Sequence, residues 1–541
     1  MEENSNIVED RKGRINNFLL SLVKDDYDKI IIFVLGIAFL IRLWIFFKTM
    51  QQPIWWDAAD YLSAAIRWAG VNPNLIDMWY YRRGFFWPLF ESLFFMFGIG
   101  EIGVRLALVL FSTGIVAVSY FLIKDMFDKK LAILVSICLS FSWIFMFFTG
   151  RPLNNLPASF FLLTSVFFFW RGYVLKKGNK FIYLFGLFFA ITCLTRMQYL
   201  LSAMPLIIFA FIRERHKFLL NKHLWIAVGI FALIFIPQFY MHWQHFGNPV
   251  ADLSKYYLGV GSSEKEEVGV KLAKTSDLFL YFNNLPYVLD ANQRGYYTLL
   301  TFSPLYFIFI FGFLLFLFDV ILGFDKIFND PEVQNRFFIL YWIVISFLFL
   351  GYIAPHLEQR YIMDTLPFLF LIAVYPYRSL EKYFTAKFKI NEKTFFLIIT
   401  LLLILLLIPN IIFGNTIIES KKTSYLEVKQ AGLWIKQNSN PKDIIISDSL
   451  PQITYYSERS TYPFNLAPRR DMERKNESDL LGFIKTNKPK YMTLTAFERQ
   501  DDWAMAFPQN HPDLVAPVQV YNQNEQPVFI IYEFKYGNSS V

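Results

Sequence analysis

Long apolar runs recur along most of the sequence and decide what kind of protein this chain forms. A helix needs about 20 mainly apolar residues to cross the hydrocarbon core of a bilayer. Hydrophobic residues make up 55% of the 541 residues, and Phe alone occurs 62 times, which is not typical of a soluble protein. The predicted spans are residues 29–48, 101–123, 131–149, 153–173, 180–194, 196–212, 223–241, 297–322, 336–354, 361–376 and 393–413. The sequence therefore predicts a polytopic α-helical membrane protein with eleven spans.

Basic residues between these runs predict the orientation of the chain. Short loops rich in Lys and Arg stay on the cytoplasmic side of a membrane. Such residues lie before the first span and after the spans that end at residues 123, 173, 212 and 376. These basic loops all lie on one side of the membrane only if a further apolar run, residues 85–98, does not cross the membrane. That run is short and contains Pro88 and Glu91. We therefore expect a juxtamembrane or re-entrant helix there.

This topology predicts a multi-pass protein of a bacterial or archaeal plasma membrane, with a cytoplasmic N-terminus and an extracytoplasmic C-terminal domain. The net charge of +8 resides largely in the topology-setting loops, so nucleic acid is not an expected partner. The expected regions are an N-terminal segment (1–28), a transmembrane module (29–241) with its outer loop (49–100), a long outer loop (242–296), further spans (297–422) and a C-terminal domain (423–541). A short interfacial helix is expected within residues 276–285.

The C-terminal region has a different pattern from the spans. Its apolar runs shorten and alternate with turn residues after about residue 423. Residues 423–438 and 476–487 have helical patterns, whereas DIIISD, YMTLTA, LVAPVQVY and PVFIIYEF read as strands. A small α/β domain is therefore predicted.

The first predicted outer loop carries two acids beside the membrane. Asp57 and Asp60 follow a Trp-Trp pair, and their spacing places them on one face of a helix, with Tyr61 one turn from Asp57. Paired Trp residues are typical of a membrane interface. An acid in this place can act as a general base toward a hydroxyl or amine. Alternatively, Asp57 is the N-cap of an interfacial helix and Asp60 stabilises its first turn.

Basic residues also occur on the predicted outer face, where membrane topology does not explain them. Guanidinium groups bind phosphate and pyrophosphate groups well. The candidate phosphate-binding residues are Arg82, Arg83, Arg151, Arg196, His356 and Arg360. The alternative is that single arginines pair with local acids or with anionic lipid head groups.

These features follow one another in a recognisable order. The first span precedes Asp57-Ala-Ala-Asp-Tyr61, an aromatic-proline segment at residues 83–88 (RGFFWP) and an Arg-Leu pair at 105–106. Later elements are GRPLNN at 150–155 and HLEQRY at 356–361, the second similar to the His-x-Glu-x-Arg-aromatic signature of lipid-linked mannosyltransferases. Over about residues 29–370 the chain resembles the GT-C glycosyltransferases, above all dolichyl-phosphate-mannose mannosyltransferases and aminoarabinose or polyprenyl-phosphate-sugar transferases. This resemblance implies a seven-span module followed by variable spans.

The resemblance also implies a reaction. A mannose-like sugar passes from a polyprenyl-phosphate carrier to an acceptor hydroxyl with inversion, with Asp57 as the general base and the outer arginines on the leaving phosphate. Asp60 and Tyr61 are expected to support Asp57. Contacts with the acceptor or the sugar are expected from Asn154, Asn155, Glu358 and Tyr361. The implied partners are the lipid-linked donor, the bilayer and a glycan, lipid or protein acceptor.

No cofactor is expected from the sequence. Cys138 and Cys193 both lie in apolar segments and offer neither a disulfide framework nor a thiolate metal site. A Gly-rich phosphate loop and a His-Glu-x-x-His pattern are absent from the sequence. Some GT-C enzymes have an acid in the second outer loop, where this chain has Asn154 and Asn155. A divalent metal is thus left open by the resemblance but not supported by the residues.

Two other functions compete with this interpretation. A transporter or flippase of lipid-linked saccharides would move its substrate without covalent transfer, but acids within the predicted spans are sparse. An oligosaccharyltransferase would transfer a whole glycan to Asn and would carry a Trp-Trp-Asp motif in its last domain. Residues 423–541 have only Trp434 and Trp503, which are not adjacent.

Overall fold

The computed structural model describes residues 25–75, 79, 83–250, 278–285, 304–353, 357–464, 476–498 and 500–536. Helices form the chain up to residue 420 within these ranges. In chain order they are α1 (Asp26–Thr49), α2 (Trp56–Trp68), α3 (Phe86–Met96), α4 (Gly100–Met126), α5 (Lys129–Phe141), α6 (Trp143–Thr149), α7 (Asn155–Phe169), α8 (Asn179–Thr195), α9 (Ala203–Glu214), α10 (Lys222–Phe246), α11 (Leu280–Asn283), α12 (Pro304–Leu322), α13 (Pro331–Ile353), α14 (Leu366–Val374), α15 (Tyr377–Phe388) and α16 (Glu392–Ser420). Short helical turns continue or precede some of them: a π turn Trp170–Val174 and 3₁₀ turns Met197–Ser202, Arg215–Leu220, Phe324–Lys326 and Gln359–Ile362.

The polytopic helical fold predicted from the apolar runs is confirmed. In the described ranges, seven helices are long and apolar enough to cross a membrane, or eight if the bent pair α5–α6 is one span. The predicted count of eleven is not confirmed, because α7, α8 and α14 have 15, 17 and 9 residues. Helix α3 has 11 residues and a length of about 16 Å, which is too short to cross.

Local sequence explains where several of these helices begin and bend. Helices α1, α5, α10 and α16 each start after an Asp or Asn whose side chain accepts a hydrogen bond from a main-chain N–H of the first turn. The α5–α6 pair bends by 51° at Ser142, which has an extended backbone. The buried Arg42 donates to the carbonyl groups of Leu139 and Ser140 at this break, at 2.9 and 2.6 Å. A buried charge in the bundle thus satisfies carbonyls that the helix itself leaves unpaired.

The C-terminal region is a small α/β unit, as predicted. Its elements are α17 (Leu426–Asn438), β1 (Ile444–Ile446), α18 (Leu450–Ser457), β2 (Ser460–Tyr462), α19 (Glu477–Asn487), β3 (Tyr491–Thr495), α20 (Asp502–Asn510), β4 (Val515–Gln523) and β5 (Gln526–Phe534). The sheet order is β2-β1-β3-β5-β4, with β1 parallel to β2 and β3 and with β5 antiparallel to β3 and β4. Strand β2 and helices α18 and α20 were not anticipated from the sequence.

Alternating side chains give this sheet a hydrophobic core on each face. Ile445 packs with α17 residues on one face, and Ile446 packs with residues of α19 and α20 on the other. The period-2 direction of strand side chains explains why neighbouring residues serve opposite layers. Helix α18 belongs to the first layer and also faces α2 of the membrane region, so the sheet unit lies directly against the loop that carries Asp57.

Candidate active site

Asp57 lies between two arginines that come from distant parts of the chain. One carboxylate oxygen, Oδ1, is 3.1 Å from Nη2 of Arg83, and the other, Oδ2, is 3.2 Å from Nη1 of Arg360. The Asp57 side chain is 40% exposed, whereas those of Arg83 and Arg360 are 25% and 18% exposed. The carboxylate is therefore held on both sides and remains reachable from outside the protein.

Helix α2 gives Asp57 its position. The helix begins at Trp56 after Trp55, which has an extended backbone and makes no side-chain cap. Asp57 is thus in the first turn and is not the N-cap residue, so the interpretation of Asp57 as a cap is wrong. A carboxylate in the first turn is favourable to the helix dipole. Its two oxygens bind arginines instead of main-chain N–H groups.

The arginines decide the protonation state of Asp57. Burial raises the pKa of this carboxyl group, but the positive charges of Arg83, Arg360 and Arg196 outweigh that effect and lower the pKa below its usual value. Asp57 is therefore an anion at neutral pH. Burial raises the pKa of Tyr61 to about 12, so its hydroxyl keeps its proton there.

Asp60 and Tyr61 also lie beside Arg83. The Oδ2 atom of Asp60 is 3.4 Å from Nη1 of Arg83, and the Asp60 side chain is 9% exposed. The guanidinium carbon of Arg83 lies 5.4 Å from the ring centre of Tyr61. Arg83 thus bridges the two acids that the sequence placed on one helical face.

Gly84, next to Arg83, allows this segment to pack closely against α8. A Cβ atom at this position would lie 1.9 Å from the carbonyl oxygen of Leu194. Only a glycine allows this contact between the two backbones. Leu194 belongs to α8, and Arg196 follows two residues later, just before the Met197–Ser202 turn, so this contact joins the segment of Arg83 to the segment of Arg196.

Arg196 and Arg151 both lie against aromatic rings. The guanidinium carbon of Arg196 lies 4.3 Å from the ring centre of Tyr361, and that of Arg151 lies 3.3 Å from the ring centre of Trp55. In the part of the chain that the structure describes, no carboxylate is within ion-pair distance of either arginine. Burial, with the charges of Arg105 and Arg360, lowers the pKa of Arg151. A phosphate would supply the anion that these two groups lack.

The turn that precedes α14 presents Arg360 to Asp57. Its Nε atom is 3.1 Å from Oε2 of Glu358. The main chain of Glu358 is held by the buried Tyr281, whose hydroxyl accepts from the Glu358 N–H at 3.2 Å. Tyr281 lies in α11, which falls within residues 276–285, where the sequence predicted a short helix. This helix thus supports the position of Arg360.

The two asparagines between α6 and α7, Asn154 and Asn155, donate hydrogen bonds from their side-chain amides to main-chain carbonyl groups. Asn154 donates to the carbonyl of Thr195 at 2.9 Å, and Asn155 donates to that of Arg360 at 3.4 Å. Both side chains are buried. They tie together the turns that hold Arg196 and Arg360. The contact with a sugar or acceptor predicted for them stays a prediction. The predicted phosphate ligands Arg82 and His356 lie outside the described residues.

A buried arginine of α4 joins the end of α1 and the turn after it to the turn after α6. Arg105 donates to the carbonyls of Thr49, Gln52 and Gly150, at 3.0, 2.7 and 2.8 Å. Its Nε atom is 2.6 Å from Oε1 of Glu101, whose other oxygen accepts from the hydroxyl of Tyr455 at 2.6 Å. The Arg-Leu pair that opens the second span in the sequence is therefore a structural link from the membrane helices to the sheet unit.

The sheet unit also binds the Asp57 loop directly. The hydroxyl of Tyr456 accepts from the Ile54 N–H at 2.6 Å, and the side-chain amide of Gln452 donates to the Ile54 carbonyl at 3.0 Å. The indole N–H of Trp56 donates to Oε1 of Glu498. These residues were missed from the sequence, because Trp56 and Glu498 are 442 positions apart. No local pattern connects them.

The described part of the site offers three acids, four arginines and two tyrosines: Asp57, Asp60, Glu358, Arg83, Arg151, Arg196, Arg360, Tyr61 and Tyr361. No group of three or more His, Cys, Asp or Glu residues that could hold a metal ion occurs in the described residues. The arrangement can accept a proton at Asp57 and bind an anion at the arginines.

The chain is similar in sequence to one protein family and in fold to several solved structures. Residues 84–241 match the family described as dolichyl-phosphate-mannose-protein mannosyltransferase. The fold is similar to ArnT from Cupriavidus metallidurans bound to undecaprenyl phosphate, with a TM-score of 0.61, 10% identity and coverage of 93% of this chain and 97% of that one. It is also similar to the archaeal oligosaccharyltransferase AglB from Archaeoglobus fulgidus in complex with an inhibitory peptide and a dolichol-phosphate, with a TM-score of 0.56, 16% identity and coverage of 86% and 69%. No curated protein matches the chain significantly.

These similarities agree with one another. The family match covers the region from Gly84, next to Arg83, to α10, and both structural neighbours extend over most of the chain. At such low identities the two neighbours show the fold alone, and the family match covers less than a third of the chain. Residues 84–241 are thus similar to the dolichyl-phosphate-mannose-protein mannosyltransferase family, and the fold of the chain is similar to the folds of ArnT and AglB.

Proposed function

We propose that this protein transfers a sugar from a polyprenyl-phosphate carrier to an acceptor hydroxyl, with inversion at the anomeric carbon and with Asp57 as the general base. The observation that carries the proposal is the carboxylate of Asp57 held between Arg83 and Arg360. It combines a proton acceptor and an anion-binding group within one side-chain contact. A mannose-like hexose is the sugar that the matched family suggests.

The donor phosphate has a place among the arginines. Arg151 and Arg196 have no acid partner among the described residues. Arg151 is close enough to Arg360 for the charge of Arg360 to lower the pKa of Arg151. Arg196 is close enough to Asp57 for its charge to lower the pKa of Asp57. A phosphodiester bound there gains charge-assisted hydrogen bonds and offsets the mutual repulsion of the guanidinium groups. The undecaprenyl phosphate and dolichol-phosphate of the two structural neighbours support a lipid phosphate as this ligand.

The reaction itself needs one proton transfer and one bond exchange. The acceptor oxygen attacks the anomeric carbon while its proton moves to the carboxylate of Asp57. The bond from the anomeric carbon to the phosphate oxygen breaks, and its electron pair leaves with the polyprenyl phosphate. Arginines that bind this leaving group stabilise the charge that develops on it. A single displacement of this kind inverts the configuration.

Asp57 is suited to accept this proton because its carboxylate is ionised and can be reached by an acceptor. The lowered pKa keeps the carboxylate ionised, so it is ready to accept a proton at neutral pH. Each oxygen has a further lone pair after its bond to one arginine. Asp60, which is 9% exposed and paired with Arg83, is the supporting acid in this scheme.

An oligosaccharyltransferase reaction is the second candidate, favoured by the likeness to AglB. It would use the same lipid-phosphate end of the donor but would transfer a glycan to the amide of Asn in a peptide. The two candidates differ in the acceptor, so the same preparation distinguishes them.

The experiment uses the purified full-length chain in lipid nanodiscs with radiolabelled polyprenyl-phosphate mannose. Peptides with Ser and Thr, peptides with an Asn-x-Thr sequence and a lipid-linked glycan are offered as acceptors. The proposal predicts label on a hydroxyl-bearing acceptor. Label only on the Asn peptide would favour the second candidate. In proteoliposomes, movement of the labelled lipid without any transfer would contradict both and favour a transporter.

A further inference from the structure

A pocket beside the arginines holds a buried acid that the reaction scheme above does not use. It lies between the Met197–Ser202 turn with the start of α9, helix α13 and the turn before α14. The space between its atoms is about 380 Å³, part of which is open to the outside. Its polar lining includes Gln198, Tyr199, Tyr361 and Asp364, and Phe349 is part of its apolar wall.

Asp364 is the unusual member of this lining. Its side chain is buried, with only 3% of the residue exposed. Its donors are hydroxyl groups, from Tyr199 at 3.1 Å and from Thr365 at 3.4 Å. Among the described residues, no Lys or Arg is within ion-pair distance of Asp364. A carboxylate removed from water in this way is costly unless something else binds it.

The pocket adjoins the reaction centre through shared side chains. Tyr361 lines the pocket, and its ring contacts the guanidinium groups of both Arg196 and Arg360, at 4.3 and 5.5 Å. Arg196 acts electrostatically on Asp57 and on Asp364. A phosphate held by Arg196 and Arg360 would therefore lie between the two acids, and a group attached to it could reach the pocket.

The chemistry of the lining selects the ligand. Carboxylate and phenol oxygens accept hydrogen bonds from hydroxyl groups, and a tyrosine ring offers a face to the C–H groups of a sugar. We propose that this pocket binds the sugar ring of the lipid-linked donor, with Asp364 accepting hydrogen bonds from its hydroxyl groups. This inference rests on the proposed function and assigns the sugar-recognition residue of the same site.

The test compares two probes with three proteins. The probes are undecaprenyl phosphate and undecaprenyl-phosphate mannose, and the proteins are the wild type, Asp364→Asn and Ser159→Ala. The asparagine keeps the shape of Asp364 and an oxygen for Tyr199 but loses the charge. Ser159 is 3.3 Å from the Tyr199 hydroxyl and is not part of the pocket lining, so its variant is the matched control. Dissociation constants are measured in nanodiscs, and thermal unfolding checks that each variant folds.

Asp364→Asn is expected to weaken binding of the sugar-bearing lipid about tenfold, as expected for hydrogen bonds to a charged group, and to leave binding of the bare lipid phosphate unchanged. In transfer assays, KM for the donor should rise while kcat changes little. Ser159→Ala should match the wild type with both probes.

An equal loss with both probes would overturn the inference in favour of a lipid-binding or purely structural pocket. Unchanged binding of the sugar-bearing lipid would overturn it as well. If the wild type binds neither probe, the proposed function fails. If it binds both probes and the sugar adds no affinity, the proposed function stands and this inference fails.

Discussion

Asp57 would lose part of its present bonding when a donor phosphate binds. Its two oxygens are bound by Arg83 and Arg360, and these are the groups that a donor phosphate would engage. The phosphate and the Asp57 carboxylate thus compete for the same guanidinium groups. At the residue scale, donor binding and the freeing of the base are one event, which ties proton acceptance to the presence of the donor.

This competition has an observable result in the binding of a lipid phosphate. Asp57→Asn removes the competing charge, so undecaprenyl phosphate should bind about three- to tenfold tighter, since an ion pair between partly exposed groups is worth up to about 1 kcal/mol. Titration in nanodiscs measures the effect. Asp60→Asn, which frees only one contact of Arg83, should have a smaller effect. Weaker binding by Asp57→Asn would show that the arginines do not bind the phosphate.

The pH dependence of transfer follows from the direction of the Asp57 pKa. Burial raises this pKa, but the neighbouring arginines lower it more, so the free protein keeps Asp57 ionised well below neutral pH. The value of kcat/KM reports groups of the free enzyme. Asp57 should therefore cause no loss of kcat/KM on the acid side between about pH 7 and about pH 5, given the usual Asp pKa of about 3.9. An acid limb near pH 6 that Asp57 causes would contradict the account.

At the scale of elements, the sheet unit holds the loop that carries the candidate base. Trp56 is the residue before Asp57 and donates to Glu498, while Ile54 is held from both sides by Tyr456 and Gln452. Helix α2 is therefore fixed at its first turn by a part of the chain more than 390 positions away. Glu498 touches none of the reacting groups and is a positioning residue.

Two substitutions of Glu498 separate positioning from folding. Glu498→Ala removes the acceptor of the Trp56 indole and should lower kcat about tenfold with little change in KM for the donor, because a small displacement of a catalytic group is costly. Glu498→Gln keeps an acceptor oxygen and should restore most of the rate. Steady-state transfer kinetics with matched thermal unfolding would show this. Equal loss of rate by both variants, or an unchanged rate in Glu498→Ala, would contradict the positioning role.

Some of these elements could be predicted from the sequence, and others could not. The lengths of the apolar runs and the basic loops between them predicted the helical segments. The order of the motifs along the chain pointed to Asp57, Arg83 and Arg360 as candidate site residues. Asp364 was noticed only as a charge within a predicted span and was given no role in the site, because it lies in an apolar run. Arg151 looked like an exposed outer charge, yet it is 4% exposed against an aromatic ring. Burial and long-range pairing depend on the packing of distant segments, which local patterns do not contain.

At the scale of the whole molecule, the charges separate into two ends of the helical bundle. One end carries Asp57 and its arginines. The other carries ion pairs such as Lys129 with Asp25 at 2.6 Å and Arg378 with Asp128 at 2.8 Å. The loops predicted to be cytoplasmic meet at this second end. We propose that the Asp57 end and the sheet unit face outward.

Cysteine labelling tests this orientation, and the chain suits it because Cys138 and Cys193 are buried. Thr486→Cys lies on the exposed surface of α19, and Lys382→Cys lies on that of α15. A membrane-impermeant maleimide should label Thr486→Cys on intact cells and Lys382→Cys only after permeabilisation. The reverse pattern would place the site on the cytoplasmic side.

The most direct test of the account is sugar transfer by three folded proteins in nanodiscs: the wild type, Asp57→Asn and Asp60→Asn. With radiolabelled undecaprenyl-phosphate mannose and an acceptor that the wild type uses, Asp57→Asn should lose transfer by about 10²- to 10⁴-fold, the usual contribution of a general base. Asp60→Asn should lose only about fivefold, because the partly exposed contact that it removes contributes about 1 kcal/mol. Transfer by Asp57→Asn at a rate near that of the wild type would contradict the central claim.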